Sequence, residues 1–86
     1  MKYEEICQVV KDTIMQISEE QGLGISEVQD HQSLVEELGL ASLDVATLVA
    51  HLETTLEVDP FRMNIAVITE LRTVEDMAKA YEKALM

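Results

Sequence analysis

Apolar residues return every three or four positions in three stretches of the chain. In the first, Ile6, Val9, Val10, Ile14 and Ile17 stack on one side of a 3.6-residue period, which predicts a helix over about residues 2–20. In the second, Val45, Leu48, Val49, Leu52 and Leu56 follow the same rhythm and predict a helix over about 42–57. Asp44, Thr47, His51, Thr54 and Thr55 fall on its other side. In the third, Val74, Met77, Ala78, Tyr81 and Leu85 predict a closing helix. Thr73 is its N-cap, and Glu75 and Asp76 suit the positive end of the first turn.

The intervening segments do not share this period. QGLGISEVQDHQSLVEELGLA forms a loop of about twenty residues in which Gly22 and Gly24 stop the first helix and Leu34 and Leu38 dip back into the core. After the second helix, which Pro60 breaks, NIAVITEL predicts a short helix capped by Asn64. The expected fold is all-α: a bundle of three main helices plus one short helix, with a long loop between the first and second. At 86 residues, positions 1–86 read as one small domain.

Charge narrows the range of partners. Seventeen acidic residues against six basic ones give a formal charge of −11, which repels nucleic acid and anionic lipid and attracts basic protein surfaces. The same imbalance predicts that added salt, magnesium or a moderately lower pH raises the melting temperature by relieving self-repulsion; a melting curve insensitive to all three would contradict this. No apolar run approaches the roughly 20 residues of a membrane span, and MKYEEICQ lacks the pattern of a signal peptide. The expectation is a cytoplasmic monomer that neither enters membranes nor binds nucleic acid.

Ser42 stands where the long loop meets the second helix. One reading is an N-cap whose oxygen accepts a first-turn amide, worth about 1 kcal/mol. The other uses the same position differently: a phosphate esterified to that hydroxyl would lie at the positive end of a helix. Gly39 keeps the approach free of side-chain bulk, and Leu43 is expected to turn inward and pin the first turn. No neighbouring residues supply the general base and oxyanion hole of a serine hydrolase, so no enzyme activity is expected.

The run G-L-A-S-L-D-V at 39–45, preceded by E-L-G and followed by Leu48, Leu52 and Glu53, sits in a small acidic helical chain whose last helix opens T-V-E-D-M. This combination resembles the acyl carrier protein family over nearly the whole chain. The resemblance implies that Ser42 receives 4'-phosphopantetheine from coenzyme A through a phosphopantetheinyl transferase. The arm would hold acyl groups as thioesters for fatty acid, modified lipid or polyketide-type enzymes with basic docking surfaces.

Two departures qualify the match. The family's aspartate before the serine is Ala41 here, which removes a charge a transferase would read, while Asp44 is retained. The second helix carries fewer acids on its outer side than carriers of general fatty acid synthesis. Asp44, Thr47, His51, Glu53 and Glu37 are the candidate partner-recognition residues, and their altered charge pattern points to a specialised carrier. A peptidyl, aminoacyl or D-alanyl carrier is the alternative within the class, and an unmodified helical interaction module the alternative outside it. Cys7 reads as a core residue. His31 and His51 lack metal-ligand spacing, and Asp30, Glu36 and Glu37 read as a solvated acidic loop, so no metal site is expected. Ile65, Val67, Ile68 and Leu71 are candidates for shaping an acyl pocket.

Overall fold

The computed structural model of the chain describes residues 1–62 and 71–85. Three helices carry it: α1 (Tyr3–Gln21), α2 (Ser42–Leu56) and α3 (Val74–Leu85). Among the described residues there is no strand, only one isolated bridge between Ser33 and Thr73. The short helix expected over NIAVITEL, with its cap Asn64 and the pocket candidates Ile65, Val67 and Ile68, lies almost wholly outside the described residues.

The stripes read from the sequence form the core along their centres, while Val9, Val45 and Val49 at the edges are only partly buried and Leu85, expected on the third stripe, is exposed at the end of its helix. Ile6, Val10, Ile14 and Ile17 of α1 meet Leu48, Leu52 and Leu56 of α2 and Val74, Met77, Ala78 and Tyr81 of α3 in one cluster. Helix α1 packs against both of the others. Cys7 joins this cluster, buried as expected of a core residue. Leu34 and Leu38 reach in from the loop, and so does Leu40, which helical periodicity could not single out.

Each helix end has a local cause. Gly22 closes α1 in the left-handed conformation, φ 67°, where glycine carries no Cβ penalty. Helix α2 stops earlier than Pro60 requires, because Glu57 takes φ 56°. Thr73 caps α3 as expected: its Oγ1 accepts the Asp76 amide at 3.0 Å, and Asp76 Oδ2 accepts the Thr73 amide at 3.2 Å.

Polar contacts hold the long loop to the helices. Ser18 Oγ accepts the Ile25 amide at 2.9 Å, and Lys11 pairs with Asp30 at 2.5 Å. The Asp30 carbonyl accepts the Glu75 amide at 2.8 Å. Backbone bonds run both ways between loop and α3: Leu34 N–H donates to the Arg72 carbonyl at 2.8 Å, and Val74 N–H to the Gln32 carbonyl at 3.1 Å. The loop is therefore a fixed wall beside the start of α2.

Cys7, Tyr3, Tyr81 and Lys11 are among the groups that this framework holds in their protonated forms. Burial raises the Cys7 thiol above 9.0 and the Tyr3 and Tyr81 phenols above 10.0, while the hydrogen bond to Asp30 raises the Lys11 ammonium above 10.5. A folded-state pKa above the unfolded one gives stability that is complete below the unfolded pKa and lost as pH climbs through the folded one. The urea midpoint should therefore fall progressively once the pH passes 9, with tyrosinate absorbance at 295 nm appearing late and together with unfolding. A midpoint unchanged into strongly alkaline solution would refute this.

Candidate functional site

The start of α2 explains the setting of Ser42. Ala41, in the extended conformation with φ −80° and ψ 169°, occupies the N-cap position, so Ser42 is the first helical residue. This corrects the expectation that Ser42 is the cap. An alanine side chain has no acceptor, so only the reciprocal half of a capping box forms, with the Ala41 amide donating to Asp44 Oδ2 at 2.9 Å. Ser42 is exposed, and its hydroxyl makes no hydrogen bond with any described residue.

The missing cap has a measurable consequence. Ala41→Asn places an acceptor where the backbone already has cap geometry, and should stabilise the fold by about 0.5–2 kcal/mol. Urea unfolding would check it. A loss of stability would show that α2 starts differently.

Gly39 owes its place to conformation. Its φ is 75°, and an added Cβ would meet no atom within 4 Å, so the turn into α2 rather than clearance inside the protein calls for glycine. Leu40 beyond it is buried and anchors the turn.

Two expectations about side-chain direction are reversed. Leu43, expected to turn inward, is 77% exposed, and Asp44, expected on the outer face, is only 9% exposed. The core positions of α2 are 48, 52 and 56, and stepping back four residues lands on 44 rather than 43. The outward side thus carries Leu43, Ala46, Ala50 and Thr54, and is largely uncharged. Thr47 and Thr54 turn their hydroxyls back to the Leu43 and Ala50 carbonyls at 2.9 and 3.1 Å. His51 and Glu53 are half-buried beside this face. Glu37 is exposed but separate from it, its carboxylate accepting the Ser33 amide at 3.1 Å.

Ser42 opens onto a pocket of about 750 Å³ whose described lining is Ser33, Leu34, Val35, Glu36, Ser42, Val45, Leu71, Arg72 and Thr73. That volume lies within the range of small-molecule sites. Leu34, Val45 and Leu71 give it an apolar wall. The other two hydroxyls on the wall are engaged: Ser33 Oγ accepts the Glu37 amide at 2.9 Å, and Thr73 Oγ1 the Asp76 amide. Of the acyl-pocket candidates named from sequence, only Leu71 is described here. Val35 and Arg72 were missed, since no spacing links residues 33–36 to 71–73 until the loop pairs with the start of α3. Among the described residues, no group of three potential metal ligands converges.

A phosphoryl-linked arm fits this arrangement. The hydroxyl is accessible, it stands at the N-terminus of a 15-residue helix whose first amides point outward, and it adjoins space for a flexible chain. No helix among the described residues is long and apolar enough to cross a membrane. A search among curated proteins finds no match to the chain. The family model described as the phosphopantetheine attachment site matches residues 6–81. Domains of that family bear 4'-phosphopantetheine on a serine, meet phosphopantetheinyl transferases and biosynthetic enzymes, and are generally non-catalytic. The match runs from the first turn of α1 into α3 and takes in α2, the loop and the pocket, and the all-α fold agrees with it: the chain belongs to the phosphopantetheine-attachment carrier family.

Proposed function

We propose that the protein is a specialised acyl carrier, folded as one domain over residues 1–86 and working as a cytoplasmic monomer, with Ser42 as the attachment residue. The observation that carries this reading is the exposed, unbonded Ser42 hydroxyl at the first turn of α2, beside the pocket. When bound, 4'-phosphopantetheine supplies a terminal thiol that holds acyl groups as thioesters.

The chain's own residues do the positioning. Asp44 holds the Ala41 amide and so orders the turn that presents Ser42. The outward amides at the start of α2 favour the negative charge of a phosphodiester there. Leu34, Val45 and Leu71 offer an apolar wall beside the serine.

Partner enzymes meet the outward side of α2. Leu43, Ala46 and Ala50 give them an apolar centre, while Thr47, His51 and Glu53 flank it, Glu37 meets them separately from the loop, and Asp44 acts from beneath. Charge sets encounter rate more than affinity, so the uncharged centre distinguishes this carrier's partners from those that dock on acidic helices. Delivery to fatty acid, modified lipid or polyketide-type enzymes follows from this reading.

The test is intact mass after incubation with coenzyme A, magnesium and a broad-specificity phosphopantetheinyl transferase. A gain of one phosphopantetheine is expected. Loaded protein then accepts acyl groups from acyl-transferring enzymes. Acceptance only from adenylating enzymes would make it a peptidyl, aminoacyl or D-alanyl carrier. No mass gain across a panel of transferases would overturn the assignment and leave an interaction module.

A further inference from the structure

Six basic residues serve the whole chain, and Arg72 is the one that lines the pocket opening at Ser42. Lys11, Arg62 and Lys79 pair with Asp30, Asp59 and Glu75, and Lys2 and Lys83 lie at the ends of α1 and α3.

The backbone of Arg72 is held from both sides. Its carbonyl accepts the Leu34 amide at 2.8 Å, and its amide donates to Asp76 Oδ2 at 3.1 Å. The neighbouring carboxylates have other work. Asp76 accepts the amides of Arg72 and Thr73, Glu75 pairs with Lys79, Glu37 accepts the Ser33 amide, and Asp44 the Ala41 amide. Glu36 is the one described carboxylate on the pocket wall itself. Among the described residues, the Arg72 guanidinium forms no ion pair.

Building on the carrier reading, we propose that Arg72 is an anion-binding residue of the pocket, holding a negatively charged group of the chain attached at Ser42. Guanidinium suits this because its planar fork of donors matches carboxylate and phosphate oxygens alike. Its placement matters more in this protein than in a neutral one. A field from a net charge of −11 repels any anionic group near the surface, and one cation on the wall of the same pocket as the attachment point offsets that locally. Two groups share the required chemistry: the phosphodiester at the serine, and a carboxylate at the far end of an acidic acyl cargo.

The test loads Ser42 from coenzyme A, butyryl-coenzyme A and succinyl-coenzyme A, in wild type and Arg72→Gln. The two acyl chains have four carbons each and differ in the terminal carboxylate. Intact mass reports loading. The Arg72 Nε–Hε proton resonance and the phosphorus resonance of the diester report contact. The wild-type arginine should hold the anionic group about two- to fivefold more often than the glutamine of the Arg72→Gln variant does, the range for an exposed charge pair, and Glu36→Gln should raise that ratio.

If the phosphorus resonance depends on Arg72 equally in all three forms, the phosphodiester is the occupant. If the Arg72 resonance moves only with succinyl, the occupant is the cargo carboxylate. Both results support the proposal, whereas an Arg72 resonance that in all three loaded forms stays where it is in the unloaded protein overturns it. A chain that takes no arm sinks the carrier reading instead. The pocket is then probed with free 4'-phosphopantetheine, and silence at Arg72 would overturn this inference too.

Discussion

Ser42→Ala is expected to abolish the gain of phosphopantetheine completely while leaving the fold as stable as before. The first half follows from access. Of the three hydroxyls among the described residues of the pocket wall, those of Ser33 and Thr73 already accept backbone amides, so neither offers a substitute nucleophile in the same setting. The second half follows from the position of the cap. Ser42 is the first helical residue, its hydroxyl bonds to no described group, and exposed substitutions of this kind stay within about ±0.5 kcal/mol. A capping serine would instead cost about 1 kcal/mol on replacement. Intact mass and urea unfolding on the same variant therefore separate the two roles. An arm found on the variant would move the site elsewhere. A loss of about 1 kcal/mol or more would restore the capping role the structure denies it.

Tyr81→Ala should cause the largest loss of stability, about 3–5 kcal/mol, the range for removing a buried aromatic ring. Tyr81 is fully buried, meets Phe61 edge to face at a centroid distance of 6.3 Å, and points its hydroxyl at the Val49 carbonyl, 3.4 Å away. It is thus the side chain through which α3 reaches the backbone of α2. At roughly 0.05–0.15 kcal/mol per residue, the whole chain has about 4–13 kcal/mol to lose. The variant would be partly unfolded at 37 °C if the total lies toward the lower end. Tyr81→Phe keeps the ring and gives up only a long hydrogen bond, so it should cost about 1 kcal/mol or less. Chemical denaturation of both variants checks the pair. Equal losses would mean that the hydroxyl, rather than the ring, holds α2 and α3 together.

These two residues differ in how readily sequence reveals them. Tyr81 was legible because it falls on an i, i+3, i+4, i+7 stripe, and such a stripe must be covered by something. The three main helices, the Thr73 cap and the burial of Leu34, Leu38 and Cys7 were legible for similar local reasons. Ser42 was legible as a special position through the motif around it, but its role at the helix start was misassigned by one residue. Cap and first helical position differ only in backbone conformation, and ψ 169° at Ala41 cannot be read from residue types.

By itself, then, the sequence determined the helical stripes, the acidity and the family motif, because periodicity and charge are properties of residues along a chain. The tertiary structure decided which way α2 is rotated about its axis, and with it that Asp44 is buried and Leu43 exposed. A stripe defines angles within one helix, but the neighbours that cover it choose the phase at its edges. The pocket was likewise a tertiary outcome. Residues 33–36, 42–45 and 71–73 are distant in sequence, and the backbone bonds of Leu34 to Arg72 and of Val74 to Gln32 bring loop and helix start together beside the serine.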